Sequence, residues 1–261
     1  MPAHDEGVRA SERGARVIGN AAPLMPAGLG PEQVAFLGES AANEVFVQVL
    51  CWPTIPAAWS MLAEAAAAMR VVRRGLSMSA GTAGTSWVQC VAPQLSRPLE
   101  RESGAAESTL ATLIGRLPVR FATAVVEQGA NQRQSSDAVR YRSLFAGCLT
   151  GYDTCLKASR QNAARVIIAP GHGKVKNDLR AAVYAQMLPH MDGAERLEAM
   201  KLAFWPTGTP PLPMEVAQLA ASAVSRHLQE PTLFNPLYEM VRAHRAPPSQ
   251  SHAPRQESGR R

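Results

Sequence analysis

The chain has 261 residues, long enough for one large domain or two small ones to bury a core without disulfide staples. Hydrophobic residues make up 46% of it but aromatics only 5%, and the abundance of alanine favours helices over sheets. Asp5, Glu6, Arg9 and Glu12 stand where a signal peptide needs an apolar core, and no run approaches about eighteen apolar residues, so neither signal-peptide export nor a membrane span is expected.

The net charge of +6 is unevenly spread. Residues 131–180 hold nine basic side chains, Arg133, Arg140, Arg142, Lys157, Arg160, Arg165, Lys174, Lys176 and Arg180, against Asp137, Asp153 and Asp178. The tail from Arg242 adds five arginines against Glu257. Segregation of this kind points to an anionic partner more than uniform basicity would. The four cysteines, Cys51, Cys90, Cys148 and Cys155, include no Cys-x-x-Cys pair and are too dispersed for a disulfide framework, which predicts free thiols and a reducing, cytoplasm-like compartment.

Taken in chain order, residues 1–30 lack any apolar period and predict a disordered arm. Val34, Leu37, Ala41, Val45 and Val49 step by three and four after Pro31, predicting a helix that ends at Trp52-Pro53. A second helix follows from Pro56 to Gly75, then a Ser/Gly/Thr-rich loop at 77–86 and a linker near 98–104. "ESTLATLIGRL" and "PVRFATAVVEQ" read as short helices parted at Pro118. After an N-cap at Ser135 or Ser136, Tyr141, Leu144, Phe145, Cys148, Leu149, Tyr152, Cys155 and Leu156 form an apolar stripe about four turns long, the expected spine of the core. "RVIIA" reads as a last helical turn or a short buried segment. Helices are expected from Asp178 to about Pro189, from Asp192 with Glu195 completing a capping box, after Pro213 and after Thr232. The predicted fold is all-α, an irregular bundle of about eight to ten helices at 31–244 with lobes 31–97 and 105–244, and a disordered basic tail at 245–261. Trp-Pro-Thr occurs twice, at 52–54 and 205–207, each time at a proline-broken corner.

One stretch is laid out like a phosphate cradle. "ARVIIAPGHGKVKNDLRAAVY", 164–184, runs from β-branched residues into Pro-Gly-His-Gly-Lys and then a helix, where backbone N–H groups and Lys174 or Lys176 could face an anion. Its spacing is neither G-x-G-x-x-G nor G-x-x-x-x-G-K-[ST]. The eight residues "VIIAPGHG" resemble the strand and glycine turn of the NADP-binding domain of transhydrogenases. "GYDTCLKASRQNAAR", 151–165, resembles the Cys-x-x-Cys-x-x-x-His helix of the alkylhydroperoxidase-D and carboxymuconolactone families, with Tyr152 in place of the first cysteine and Ser159 in place of the histidine, which removes the dithiol and its proton relay. The six histidines have no metal-ligand spacing.

The leading expectation is therefore a structural, nucleocapsid- or coat-like protein. It would contact RNA or DNA backbone through the nine basic residues of 131–180, without sequence specificity, cofactor or turnover. A homo-oligomer is compatible with this. The alternative is a nucleotide- or anion-binding enzyme using Gly171, Gly173, Lys174 and Asp178, and the third reading is a helical scaffold for another protein.

Overall fold

A computed structural model of the chain describes residues 33–58, 61, 101–127, 136–206 and 210–246. The order of elements is β1 (Val34–Ala42), β2 (Val45–Pro53), α1 (Arg101–Gly115), β3 (Val119–Glu127), α2 (Asp137–Ser159), β4 (Val166–Pro170), α3 (Lys174–Met187), a 3-10 turn (Leu188–His190), α4 (Ala194–Leu197), β5 (Lys201–Trp205), α5 (Leu212–Gln229) and α6 (Pro236–Ala243). The strands form one sheet in the order β3-β2-β1-β4-β5. β2 pairs antiparallel with both β1 and β3, while β4 and β5 run parallel to β1.

The all-α expectation is thus overturned: the protein is α/β, with a five-stranded mixed sheet between two helical layers. The predicted helix at 31–49 is a hairpin. Val34 and Phe36 enter one core cluster and Ala35 and Leu37 the other, so the start of β1 is buried on both faces and shows an unbroken apolar run instead of alternation. Asn43 and Glu44 both have positive φ, 49° and 65°, closing the two-residue turn between the paired Ala42 and Val45. A glutamate where glycine is the usual signal concealed that turn from sequence.

The second error is "FATAVV", which is β3. Its alanines serve packing: a Cβ on Gly147 would come within 2.8 Å of the Ala124 Cβ, and one on Gly151 within 3.1 Å of the Ala122 Cβ. Small residues on both partners let α2 lie close against the strand, so alanine here records a close helix–sheet approach and not helix propensity. Both Trp-Pro corners, Trp52-Pro53 and Trp205-Pro206, stand at or beside strand ends, not helix ends.

The spine was read correctly. Ser136 caps α2 with its hydroxyl accepting from the Val139 N–H, and Leu144, Phe145, Cys148, Leu149, Tyr152, Cys155 and Leu156 are buried along the helix. Tyr152 packs edge-on to Trp52 at 4.6 Å and its hydroxyl accepts from the Ala164 N–H. The resemblance at 151–165 therefore falls on a core tyrosine, and Ser159 donates to the Cys155 carbonyl. Cys51, Cys148 and Cys155 are free and buried, and burial pushes the Cys148 thiol up to about 12; Cys90 lies outside the described residues.

Later helices fall near their expected places with shifted starts. α3 begins at Lys174 and not Asp178, the helix expected at Asp192 is the single turn α4 behind Gly193, and the last is capped by the Asn235 side chain. α1, α5 and α6 cover one face of the sheet, α2 and α3 the other. β2 and β3 pair along their length, so strands from both expected lobes share one sheet. Arg245 and Ala246, at the start of the expected tail, are held against Phe121 on the outer edge of β3. The 1–30 arm, the loop at 77–86, the linker up to residue 100 and nearly all of the helix expected at 56–75 lie outside the described residues. Among the described residues no helix is long and apolar enough to cross a membrane.

Candidate ligand site at the carboxyl end of the parallel strands

Glu39, on β1, lies on the same face as Ala35 and Leu37, where the apolar pattern is interrupted by a carboxylate. The hairpin register sets Gln48 directly opposite, and the Gln48 amide donates to Glu39 Oε1 at 3.0 Å. Arg180, from the second turn of α3, also donates to Glu39 Oε1, and through Nη1 to the Pro170 carbonyl at 2.7 Å. His172 Nε2 lies 2.8 Å from Glu39 Oε2. Three side chains from β2, α3 and the β4–α3 turn thus converge on one carboxylate.

Arg180 is fully buried, with its guanidinium 5.1 Å from the Phe204 ring centre and 5.4 Å from that of Tyr141. The Tyr141 hydroxyl is pushed above its ordinary range, first by burial and then by the negative charge of Glu39, against the opposing pull of Arg180 and Arg140. It stays protonated and available as a donor at the edge of the cluster. Gln48 Oε1 and Arg180 Nε are buried without hydrogen-bond partners among the described residues. Each such group costs about 1–3 kcal/mol unless a bound molecule satisfies it.

The turn that carries His172 is shaped by its glycines. A Cβ on Gly171 would stand 2.4 Å from the Trp205 carbonyl, which the Gly171 N–H already meets at 3.0 Å, so only glycine lets the ends of β4 and β5 come together. Gly173 has φ +89° and open space where a side chain would lie. It is the N-cap of α3, and α3 starts with no side-chain cap and no acid in its first turn. The His172 N–H is held by Asn177 Oδ1 at 3.0 Å, which fixes the turn against the helix.

The chain leaves β1 through the hairpin towards β2 and leaves β4 through α3 towards β5, on opposite sides. The carboxyl ends of these adjacent parallel strands are therefore a topological switch point, the position where open α/β sheets form ligand crevices. Glu39 and His172 meet at that point.

The eight of these nine basic residues that fall among the described residues do not share one surface. With about 100° per residue, Arg142 is turned roughly 200° from Arg140 around α2. Arg140 pairs with Asp137 and stacks 4.1 Å above Phe46; Lys157 pairs with Asp153, Lys174 with Asp178, and Arg180 with Glu39. Arg142, Arg160, Arg165 and Lys176 are dispersed over the two ends of α2, the foot of β4 and the start of α3. Arg133 lies outside the described residues. A cationic rod carrying a coat-like role has no counterpart in this arrangement. Of the four residues of the alternative reading, Gly171 and Gly173 shape the turn, while Lys174 and Asp178 are bound to each other. No group of histidine, cysteine, aspartate and glutamate able to hold a metal occurs among the described residues.

Sequence reasoning passed over Glu39 and Gln48, counted Tyr141 only as part of the apolar stripe, and set His172 aside for want of a metal partner. The signal was present but needed the hairpin register: Glu39 and Gln48 are opposed polar residues on an otherwise apolar face. No family model, curated protein or solved structure matches the chain, so function must be argued from this geometry.

Proposed function

We propose that this protein binds a small phosphate-bearing ligand of the nucleotide class at the switch point between β1 and β4, with His172 exchanging a proton with it. The observation that carries the reading is His172 itself, held by Glu39 on one side and set at the uncapped start of α3 on the other. The first N–H groups of an uncapped helix and its positive end attract a phosphate. Lys176 adds charge and His172 a ring nitrogen at the same place. A carboxylate that orients one imidazole nitrogen leaves the other for acid–base work, the arrangement general acid–base chemistry requires. The unsatisfied Gln48 Oε1 and Arg180 Nε add polar capacity near the same carboxylate.

Binding should be seen as a ligand-induced rise in melting temperature and as heat in titration calorimetry, with ATP, NADPH and inorganic phosphate as probes. At a hundredfold excess over Kd the stabilisation is about 2.7 kcal/mol, several degrees for a domain of this size. His172→Gln and Lys176→Glu should each reduce that rise while leaving the unliganded protein folded. No response to any of the three probes in either measurement would overturn the reading.

A further inference from the structure

We infer that the protein forms a two-fold symmetric dimer through the surface at the C-terminal end of α3, remote from the His172 turn. Two hollows lie side by side there. The first, of about 620 Å³, has an apolar floor of Ala146, Met187 and Met191 and carries Arg142 and His190. The second, of about 320 Å³, is lined by Leu188, Ala194, Glu195 and Glu198. Both share Ala185 and Pro189, which stand between them as an exposed ridge.

One end of the patch carries the cation Arg142 beside His190, and the other carries Glu195 and Glu198. None of Arg142, His190 and Glu198 makes a side-chain ion pair or hydrogen bond among the described residues, and Glu195 feels only the charge of its neighbour Arg196, which is itself bonded to Asp153. Arg140, Lys157, Lys174, Arg180 and Arg196, by contrast, are each engaged by an acid. A patch with a cationic end, an apolar middle and an anionic end is complementary to itself when turned through 180°. In such an isologous contact the acids of one copy meet the bases of the other twice, and the shared ridge lies close to the axis. The occupant whose charges match both ends at once is therefore a second copy of this chain. Burial of the ridge and the methionine floor supplies the attraction, and the paired ends set the orientation.

Sedimentation velocity across micromolar concentrations tests this with two variants, the basic end reversed (Arg142→Glu with His190→Glu) and the acidic end reversed (Glu195→Lys with Glu198→Lys). The unaltered protein should dimerise, more weakly at high salt. Each variant alone puts like charges face to face twice and should weaken dimerisation about tenfold or more. An equimolar mixture of the two restores every pairing and should dimerise again. All substituted side chains are exposed, and unchanged circular dichroism would confirm folding. A wild-type protein monomeric throughout, a variant that dimerises alone as well as wild type, or a mixture that stays monomeric would each overturn the inference.

Discussion

Each face of the sheet buries an arginine against a glutamate, and the two pairs stand in opposite relations to water. Glu107 of α1 and Arg226 of α5 are sealed, with 1% and 3% of their side chains exposed and contacts at 3.1 and 3.3 Å. On the other face Arg180 is as deeply buried, but Glu39 keeps 18% exposure and leads outwards to His172 at 41%. The first pair ties α1 to α5 and is closed to any ligand. The second has the same chemistry with one side open, and a sheet end and a helix start deliver further donors to that opening. Burial of a charge pair is therefore no mark of function; access to it is.

Removing one partner tells the two apart. Arg226→Met leaves Glu107 with an uncompensated buried charge and should cost about 3–5 kcal/mol in urea unfolding, most of it recovered by adding Glu107→Leu. Arg180→Met leaves Glu39 with Gln48, His172 and partial hydration, so the expected loss is smaller, about 1–3 kcal/mol. Equal losses would mean that the Glu39 side is as closed as the other. The pH dependence separates the carboxylates next. Burial raises the Glu107 carboxyl despite the opposing charge and hydrogen bond of Arg226, so the folded state binds that proton more tightly and stability falls as pH rises through the window just above the ordinary glutamate range. Glu107→Gln should flatten that limb.

Asp153 has the reverse sign: burial pushes it up, but hydrogen bonds and charges of Arg196 and Lys157 outweigh this and hold it low. Its contribution is present above the ordinary aspartate pKa, about 3.9, and is lost below it. Asp153→Asn should therefore destabilise at neutral pH, by a margin that shrinks as acid is added in a denaturation series. The smallest effect on stability is expected for His172→Gln, about 0.5 kcal/mol or less because the pair is partly exposed, although the same change should reduce the ligand response.

How much could be seen in the sequence divides along the molecule. α2 was legible because one face of a long helix repeats at 3.6 residues and its cap is local: Ser136, Leu144, Cys148 and Tyr152 needed no partner to be placed. β1 was not, because a strand buried on both faces has no alternation and the Asn43-Glu44 turn lacks glycine. β3 was hidden by alanines chosen for Gly147 and Gly151 across the layer. At the site, Gly171, Gly173 and the cradle outline were visible as a string, while Glu39 lies more than a hundred residues away and gained meaning only from pairing.

By itself the sequence determined the helical spine, the free buried thiols and the strand-like run into Gly-His-Gly, all of which follow from side chains acting within a few turns of one another. Tertiary structure alone decided that the chain is built on a sheet, that the basic Arg180 is answered by Glu39 from a distant strand, and that Glu39 meets His172. The physical reason is range: period and capping are local free energies written along the chain, whereas strand pairing, charge compensation and a convergent site are agreements between residues that only folding brings within reach.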